Sequence, residues 1–355
     1  MRVEISVMAF FAAVTAAAAP PPLSSPHGDA GVALFADDHE TTVITPYGSV
    51  SATLPGRTDL TAAWKADVIT SASVDVITAA TANMEEVRQE VGVTAKRRAT
   101  VAGLDLDLGY VYSFERDADS HVVNAGVRRE LFGKNLEVGL RYGGSLNRFG
   151  VLGEPASRWR SLAIHNLEVA LATVIDKRTT AEVVGSAFFS AGFHANPYRR
   201  VPIVRGADLI GASWLGESVP DDRLRGAATL RLRRALGRRW VTTLEYRLYA
   251  DDWGVIAHTE SLEAVCDVTP RLSVRLRERA AYEGGASFYR ARYEEDATLR
   301  TRDRRLSPHL SWLGGVALMW NLGSLGPIGS VDLHASADAI AWRYDDFLSP
   351  SLSST

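Results

Sequence analysis

AGLDLDLGYVYSFERDADSHVVNAGVRRELFGKNLEVGLRYGGSL, residues 102–146, is the stretch whose pattern decides the fold. Leu104, Leu106, Leu108, Tyr110, Tyr112 and Phe114 alternate with Asp105, Asp107, Gly109, Val111 and Ser113. A period of two marks a strand with one apolar and one polar face. ERDADS reads as a turn. Val123, Ala125 and Val127 then alternate with Asn124, Gly126 and Arg128, FGKN turns the chain again, and Leu136, Val138, Leu140 and Tyr142 alternate with Glu137, Gly139, Arg141 and Gly143. Long strands with one purely apolar face, joined by short turns, are the pattern of a transmembrane β-barrel.

The same pattern extends in both directions. Residues 41–54 and 59–72 read as a hairpin closed by PGRT, and 85–95 as a further strand. After the central stretch come 161–175, 179–191, 223–236, 239–251, 255–266, 271–282, 309–320 and 329–344, with 32–36 as a brief strand near the start. The expectation is an all-β, antiparallel transmembrane β-barrel of about 14–16 strands, occupying 30–346 and followed by a short tail, 347–355. Tight turns such as FGKN and DKR alternate with longer connections at 73–84, 148–160, 192–222 and 284–307. In such barrels the short turns face the periplasm and the long loops face outward. On that assignment 329–344 runs outward and a returning strand should follow. The chain instead ends in DDFLSPSLSST, so the closing strand is either very short or lacking.

The sequence has 355 residues, a net charge of −3 and 23% charged residues, so nothing in it drives binding to nucleic acid. No apolar run reaches the roughly 18 residues of a membrane-spanning helix. Cys266 is the single cysteine, which excludes an intrachain disulfide. MRVEIS followed by VMAFFAAVTAAAA reads as a secretory signal peptide, 1–18, cut after Ala18, with a Pro/Ser linker at 19–29. A cleaved signal ahead of amphipathic strands points to the outer membrane of a Gram-negative cell. The expected partners are outer-membrane lipids and lipopolysaccharide, the barrel-assembly machinery, and small solutes or ions.

Arginines settle which face is which. An arginine held in lipid at mid-depth costs ~2–4 kcal/mol, so slipping 223–236 by one residue would cost ~6–12 kcal/mol if Arg225, Arg231 and Arg233 all lay deep. These arginines are therefore expected inside, with the leucines toward lipid. Arg225, Arg231, Arg233, Arg247, Arg275, Arg277 and Arg279 fall on strands close in sequence and should form one lumen wall. Asp105, Asp107, Glu137, Glu168 and Glu182 come from the other half and would oppose it. One consequence is a pore with a transverse field that favours anions at the basic wall. The other is pairing across the lumen that stiffens or plugs the barrel, because interior charges must be solvated or paired whatever the function. Trp64, Tyr110, Tyr142, Trp159, Trp240, Trp253, Trp320 and Trp342 recur near strand ends, as an interfacial girdle requires, although core aromatics would give the same list.

DVITSASVDVITAAT at 67–81, GYVYSFERDADSH at 109–121, GFHANPYRRVPIV at 192–204, YRLYADDWGVIAHT at 246–259 and SFYRARYEEDATLRTRDRRLS at 287–307 together resemble a family of uncharacterised bacterial outer-membrane β-barrels carried as a domain of unknown function. The resemblance runs over nearly the whole chain after the signal. It implies the barrel fold and the outer membrane, and it brings no substrate or catalytic residue. It also implies a last strand ending in an aromatic residue, which does not follow Asp346 here.

The eight histidines are dispersed and no HExxH, GxSxG, P-loop or dinucleotide fingerprint occurs. No cofactor, metal or catalytic residue is expected. The favoured role is a passive channel or structural component with an arginine-rich lumen wall. Two other classes stay open: an outer-membrane hydrolase of lipase type, whose Ser and His could be distant in sequence, and a secreted ligand-binding β-sandwich. The loop 192–222, with Tyr198, Arg199, Arg200, Arg205 and Trp214, is either a constriction folded into the lumen or an outer loop.

Overall fold

A computed structural model describes residues 2–10, 26–36, 42–54, 57–71, 84–98, 100, 102–204, 213–324 and 330–347. Its strands are β1 (Arg2–Phe10), β2 (His27–Ala36), β3 (Thr42–Leu54), β4 (Thr58–Ser71), β5 (Met84–Arg97) and β6 (Leu104–Phe114). β7 (Ala118–Leu131), β8 (Leu136–Phe149), β9 (Arg160–Asp176) and β10 (Thr179–Gly192) follow. A short hairpin, β11 (Arg200–Ile203) and β12 (Ser213–Gly216), interrupts the series. β13 (Asp222–Leu236), β14 (Trp240–Asp251), β15 (Ile256–Thr269), β16 (Leu272–Glu283), β17 (His309–Ser324) and β18 (Ser330–Tyr344) complete it.

From β2 to β18, leaving out the hairpin, each strand pairs antiparallel with its neighbour in sequence. No described strand follows β18. The ring is closed by β1, which pairs antiparallel with β18 (Arg2 opposite Trp342) and with β2 (Val7 opposite Ala36). The barrel therefore has sixteen strands, and its seam is filled by the chain's first strand instead of its last.

The alternation that defines the strands also sorts their faces. Leu230 and Leu232 are 45% and 36% exposed, on the outside of the ring. Arg231 and Arg233 alternate with them and so lie on the inner face. Exposed Val, Leu, Trp and Tyr side chains recur around nearly every strand, a belt far larger than a water-soluble monomer leaves uncovered. With that belt outside and charges inside, the fold is that of a transmembrane barrel, and the β-sandwich reading is discarded.

Two expectations change. His27, Gly28 and Asp29, read as linker, are the start of β2 and pair with Ser51, Val50 and Ser49. Trp253 is buried instead of interfacial, and Trp342 shares the inner face with Asp338. The most deeply buried side chains, including Tyr293, Val201, Val255, Thr301 and Ser307, belong to the connections at one end of the barrel. The connection 73–84 and most of the 67–81 motif lie outside the described residues.

Candidate functional site: the charged lumen and its cap

The inner wall of β13–β16 separates into paired and unpaired arginines. Arg231 is held between Glu182 on β10 and Glu245 on β14, donating from Nε to Glu245 at 2.8 Å. Arg277 is clamped by Asp338 of β18 through Nε at 2.8 Å and Nη2. Arg275 lies 4.0 Å from Glu263. Arg225 stacks over Phe188 at 5.4 Å. Arg233, Arg247 and Arg279 form no ion pair with a described residue.

The acidic half is largely paired within itself. Arg128 reaches Asp105 at 2.9 Å and Glu137 at 3.6 Å, and Arg141 reaches Glu168 at 3.0 Å. Asp107 packs into the space beside Gly126, where a Cβ would meet its carboxylate at 2.2 Å. Asp105, Asp107, Glu137, Glu168 and Glu182 line one cavity of about 560 Å3. Pairing is thus local, between adjacent strands or, for Arg277 and Asp338, across the one strand between them, with Arg231–Glu182 as the link between the two halves.

One end of the ring carries short turns and the other carries the longer connections. At that second end two of these build a cap. The connection 193–221 leaves β10 through Gly192, whose φ is +122° and where a Cβ would lie 2.3 Å from Ser161 O. Only glycine fits that exit. The connection then carries the β11–β12 hairpin and packs on the connection 284–308 between β16 and β17. Val204 N donates to Tyr293 O at 2.8 Å, and Ser218 and Arg300 exchange two backbone bonds at 2.9 and 2.7 Å. Val201, Ile203 and Tyr293 form one small core, and Trp253, Val255, Ala286, Tyr289 and Leu306 form a second. Burial pushes the phenols of Tyr289 and Tyr293 upward, so both stay neutral donors.

A buried ion cluster joins the two connections. Arg199, 4% exposed, donates through Nη1 to Glu217 at 2.9 Å and to Asp303 at 3.1 Å. Thr301 Oγ1 donates to Glu217 as well. Burial alone would raise the Asp303 pKa, but Arg199 and Arg305 outweigh it and hold the carboxyl below the usual range. On the far side, Tyr198 OH donates to Asp117 in the β6–β7 turn and accepts from Leu152 N at 2.7 Å. The connection 193–221 therefore touches both the β6–β7 turn and the β16–β17 connection, which stand eight strands apart on a ring of sixteen. A segment that meets both sides of half the ring crosses the mouth.

Ser190 and His194 sit at the root of the cap. His194 Nδ1 lies 2.9 Å from Gly192 O and so carries the proton, leaving Nε2 to accept from Ser190 Oγ at 2.7 Å. Burial lowers the His194 pKa; nearby Arg225 and Arg223 add to that, and the Gly192 carbonyl opposes it. Ser190 is 1% exposed and the imidazole is backed by a carbonyl in place of a carboxylate, so this pair is built as a buried strut. Sequence spacing had no means of finding it, or the Arg199 cluster. Among the described residues no group of three or more His, Cys, Asp or Glu side chains is placed to hold a metal ion.

The cap connections and the β13–β16 wall all fall in one continuous part of the chain. Residues 160–329 match the family model described as "Protein of unknown function (DUF3570)". The match covers just under half of the chain. It contains the motifs at 192–204, 246–259 and 287–307, whereas those at 67–81 and 109–121 lie outside it. The matched region spans β9–β17, the seven arginines of the basic wall and nearly all of the cap. None of the curated proteins matches the chain. Among solved structures it is similar to "Bacterial polysaccharide outer membrane secretin" (9% identity, TM-score 0.43, covering 96% of this chain and 98% of that one). It is also similar to "Anion-selective porin from Comamonas acidovorans" (10% identity, TM-score 0.41, covering 97% and 99%). A third is the ferric citrate transporter FecA in the unliganded form (9% identity, TM-score 0.48, covering 97% of this chain and 60% of that one). Likeness at this level identifies no solute and no partner.

Proposed function

We propose that the protein is an outer-membrane barrel acting as a passive channel for small ions or solutes, restricted at its outer mouth by the cap. The observation that carries this reading is the inner face of β13–β16, where Arg233, Arg247 and Arg279 have no carboxylate partner among the described residues. A ring of fifteen or sixteen strands, without or with β1, is wide enough to leave an aqueous interior. Unpaired guanidiniums within it set up a local positive potential, since water and fixed charges there screen less than bulk solvent. Arg231 and Arg277, bound by carboxylates, contribute stiffness more than field. The apolar belt and the aromatic residues at strand ends suit outer-membrane lipid and lipopolysaccharide, with delivery by the barrel-assembly machinery.

Single-channel recording in planar bilayers tests this. The Arg233→Gln/Arg247→Gln/Arg279→Gln variant is expected to lose anion preference, with the anion-to-cation permeability ratio falling about twofold or more. Neutralising Arg231 and Arg277 instead is expected to lower barrel stability. Conductance whose selectivity is the same in wild type and the triple variant would remove the role given to these residues. A second reading, a structural component with a closed lumen, is favoured by the cap; it requires that no conductance be seen in any variant.

A further inference from the structure

One arrangement of side chains repeats on the outward face. Tyr110 OH lies 2.7 Å from His121 Nδ1, Tyr142 OH 2.7 Å from His165 Nδ1, and Tyr246 OH 2.7 Å from His258 Nδ1. Each pair spans one hairpin, β6–β7, β8–β9 or β14–β15. The diagonal is the same in all three. The histidine stands opposite the residue two places beyond the tyrosine, which is Tyr112, Gly144 and Leu248 in turn. The tyrosines share their exposed rows with Leu108, Leu140 and Leu244, so the pairs look toward lipid and away from the lumen.

Their depth is also shared. All three hairpins turn at the capped end, and each histidine falls within the first six positions of the strand that leaves it. With the short turns in the periplasm, that end lies in the outer leaflet. Among the described residues no such pair occurs at the short-turn end. A Tyr–His pair always has a donor left over. When the phenol donates to Nδ1, the imidazole proton sits on Nε2; when Nδ1–H donates, the phenol proton is free; a charged imidazole leaves both. Facing hydrocarbon, that donor is costly unless the lipid supplies an acceptor.

Two of the pairs share one patch. On β8, Leu146 stands opposite His121, Gly144 opposite His165, and Arg148 follows in the same exposed row. Asp119 accepts from Nε and Nη2 of Arg148 and fixes the guanidinium, leaving Nη1 with no partner among the described residues. β7 and β9 flank β8, so the two histidine positions stand about 10 Å apart across the sheet, with the arginine on the strand between them. The β14–β15 pair differs. Glu260, opposite Tyr246, puts a carboxylate on the same face beside His258. The β7–β9 patch thus offers only donors and a guanidinium, which suits an acceptor with several charged oxygens. In the outer leaflet that acceptor is the phosphate of a glycolipid.

We propose that the outward patch of β7–β9 binds lipid A, the membrane end of lipopolysaccharide, holding its phosphate through His121, His165 and Arg148, with Tyr110 and Tyr142 orienting the two imidazoles. The site rests on the outer-membrane placement given above and does not require that the barrel conduct.

Titration of the full chain in dodecyl maltoside, a phosphate-free detergent, tests it. The probes are lipid A, lipid A stripped of phosphate, and phosphatidylethanolamine, with bound lipid counted by native mass spectrometry. Lipid A is expected to bind at least about tenfold more tightly than either comparator. His121→Phe/His165→Phe/Arg148→Gln is expected to bring lipid A down to the level of its phosphate-free form, and His258→Phe to leave it unchanged. Heat-modifiable mobility kept by the triple variant certifies its fold. Should it be lost, Tyr110→Phe/Tyr142→Phe takes its place, expected to weaken lipid A about threefold or more and the phosphate-free form not at all. Wild-type binding of either comparator as tight as that of lipid A overturns the proposal. So does a folded variant of the patch that keeps the full preference for phosphate. Wild type lacking heat-modifiable mobility would overturn the barrel placement and the site together.

Discussion

His194 shows how one side chain couples the cap to pH. Its neutral form is favoured by burial and by Arg225 and Arg223, and Nε2 must stay unprotonated to accept from Ser190. A folded-state pKa below the unfolded value means that the unfolded chain takes up protons first. The stabilisation is therefore present above pH ~6.5 and is lost as pH falls through the folded value. Asp303, held low by Arg199 and Arg305, keeps its charge to lower pH and adds nothing to that window. Amide hydrogen exchange of the connection 193–221, corrected for the intrinsic slowing of amide exchange at lower pH, is thus expected to speed up as pH falls from 7.5 to 5. His194→Gln is expected to flatten that dependence. Equal acceleration in wild type and variant would place the sensitivity elsewhere.

At the scale of the element, the strands were legible because lipid tolerates no polar interruption on the outer face. Leu104 to Phe114 and Leu224 to Leu232 advertise their parity residue by residue, and the strand ends read from the sequence fall within a few residues of β3–β10 and β13–β18. The arginines of β13 and β16 announced their face by the cost of the alternative. The cap was not legible, because no period links Arg199 to Asp303 or Tyr198 to Asp117; loops carry no alternation to read. Trp253 illustrates the same failure. Its place near the end of β14 suggested an interface, yet its indole donates to Asp222 O at 2.9 Å inside the cap core. The parity itself has a measurable consequence. Leu230→Arg puts a guanidinium into the lipid-facing row and is expected to cost ~2–4 kcal/mol, seen as a lower temperature for loss of heat-modifiable mobility. Thr229→Arg, one residue away on the inner face, is expected to be far milder. Equal losses for the two would mean that the rows are not divided between lipid and lumen.

For the whole molecule, the seam raises the sharpest question. Residues 2–10 are the closing strand of the ring, and the same residues carry the features of an export signal. Both roles cannot persist in one mature chain. We propose that residues 1–18 are removed on export. Because β1 is antiparallel to both of its neighbours, β2 and β18 run in the same direction, so their direct meeting would make a parallel pair in an otherwise antiparallel ring. The intact mass of barrel extracted from outer membranes is expected to correspond to a chain beginning at Ala19. A mass that includes residues 2–10 would instead establish β1 as a permanent stave.

The contact from Arg199 to Asp303 joins positions 104 residues apart. The second partner is delivered only with the connection that precedes β17, so a chain still threading into the bilayer has its mouth uncovered until that late moment. Biogenesis arrested at β16 would leave a leaky, protease-sensitive ring whose Glu217 keeps Arg199 and the Asn196 N–H but lacks Thr301. Completion and sealing are therefore a single event.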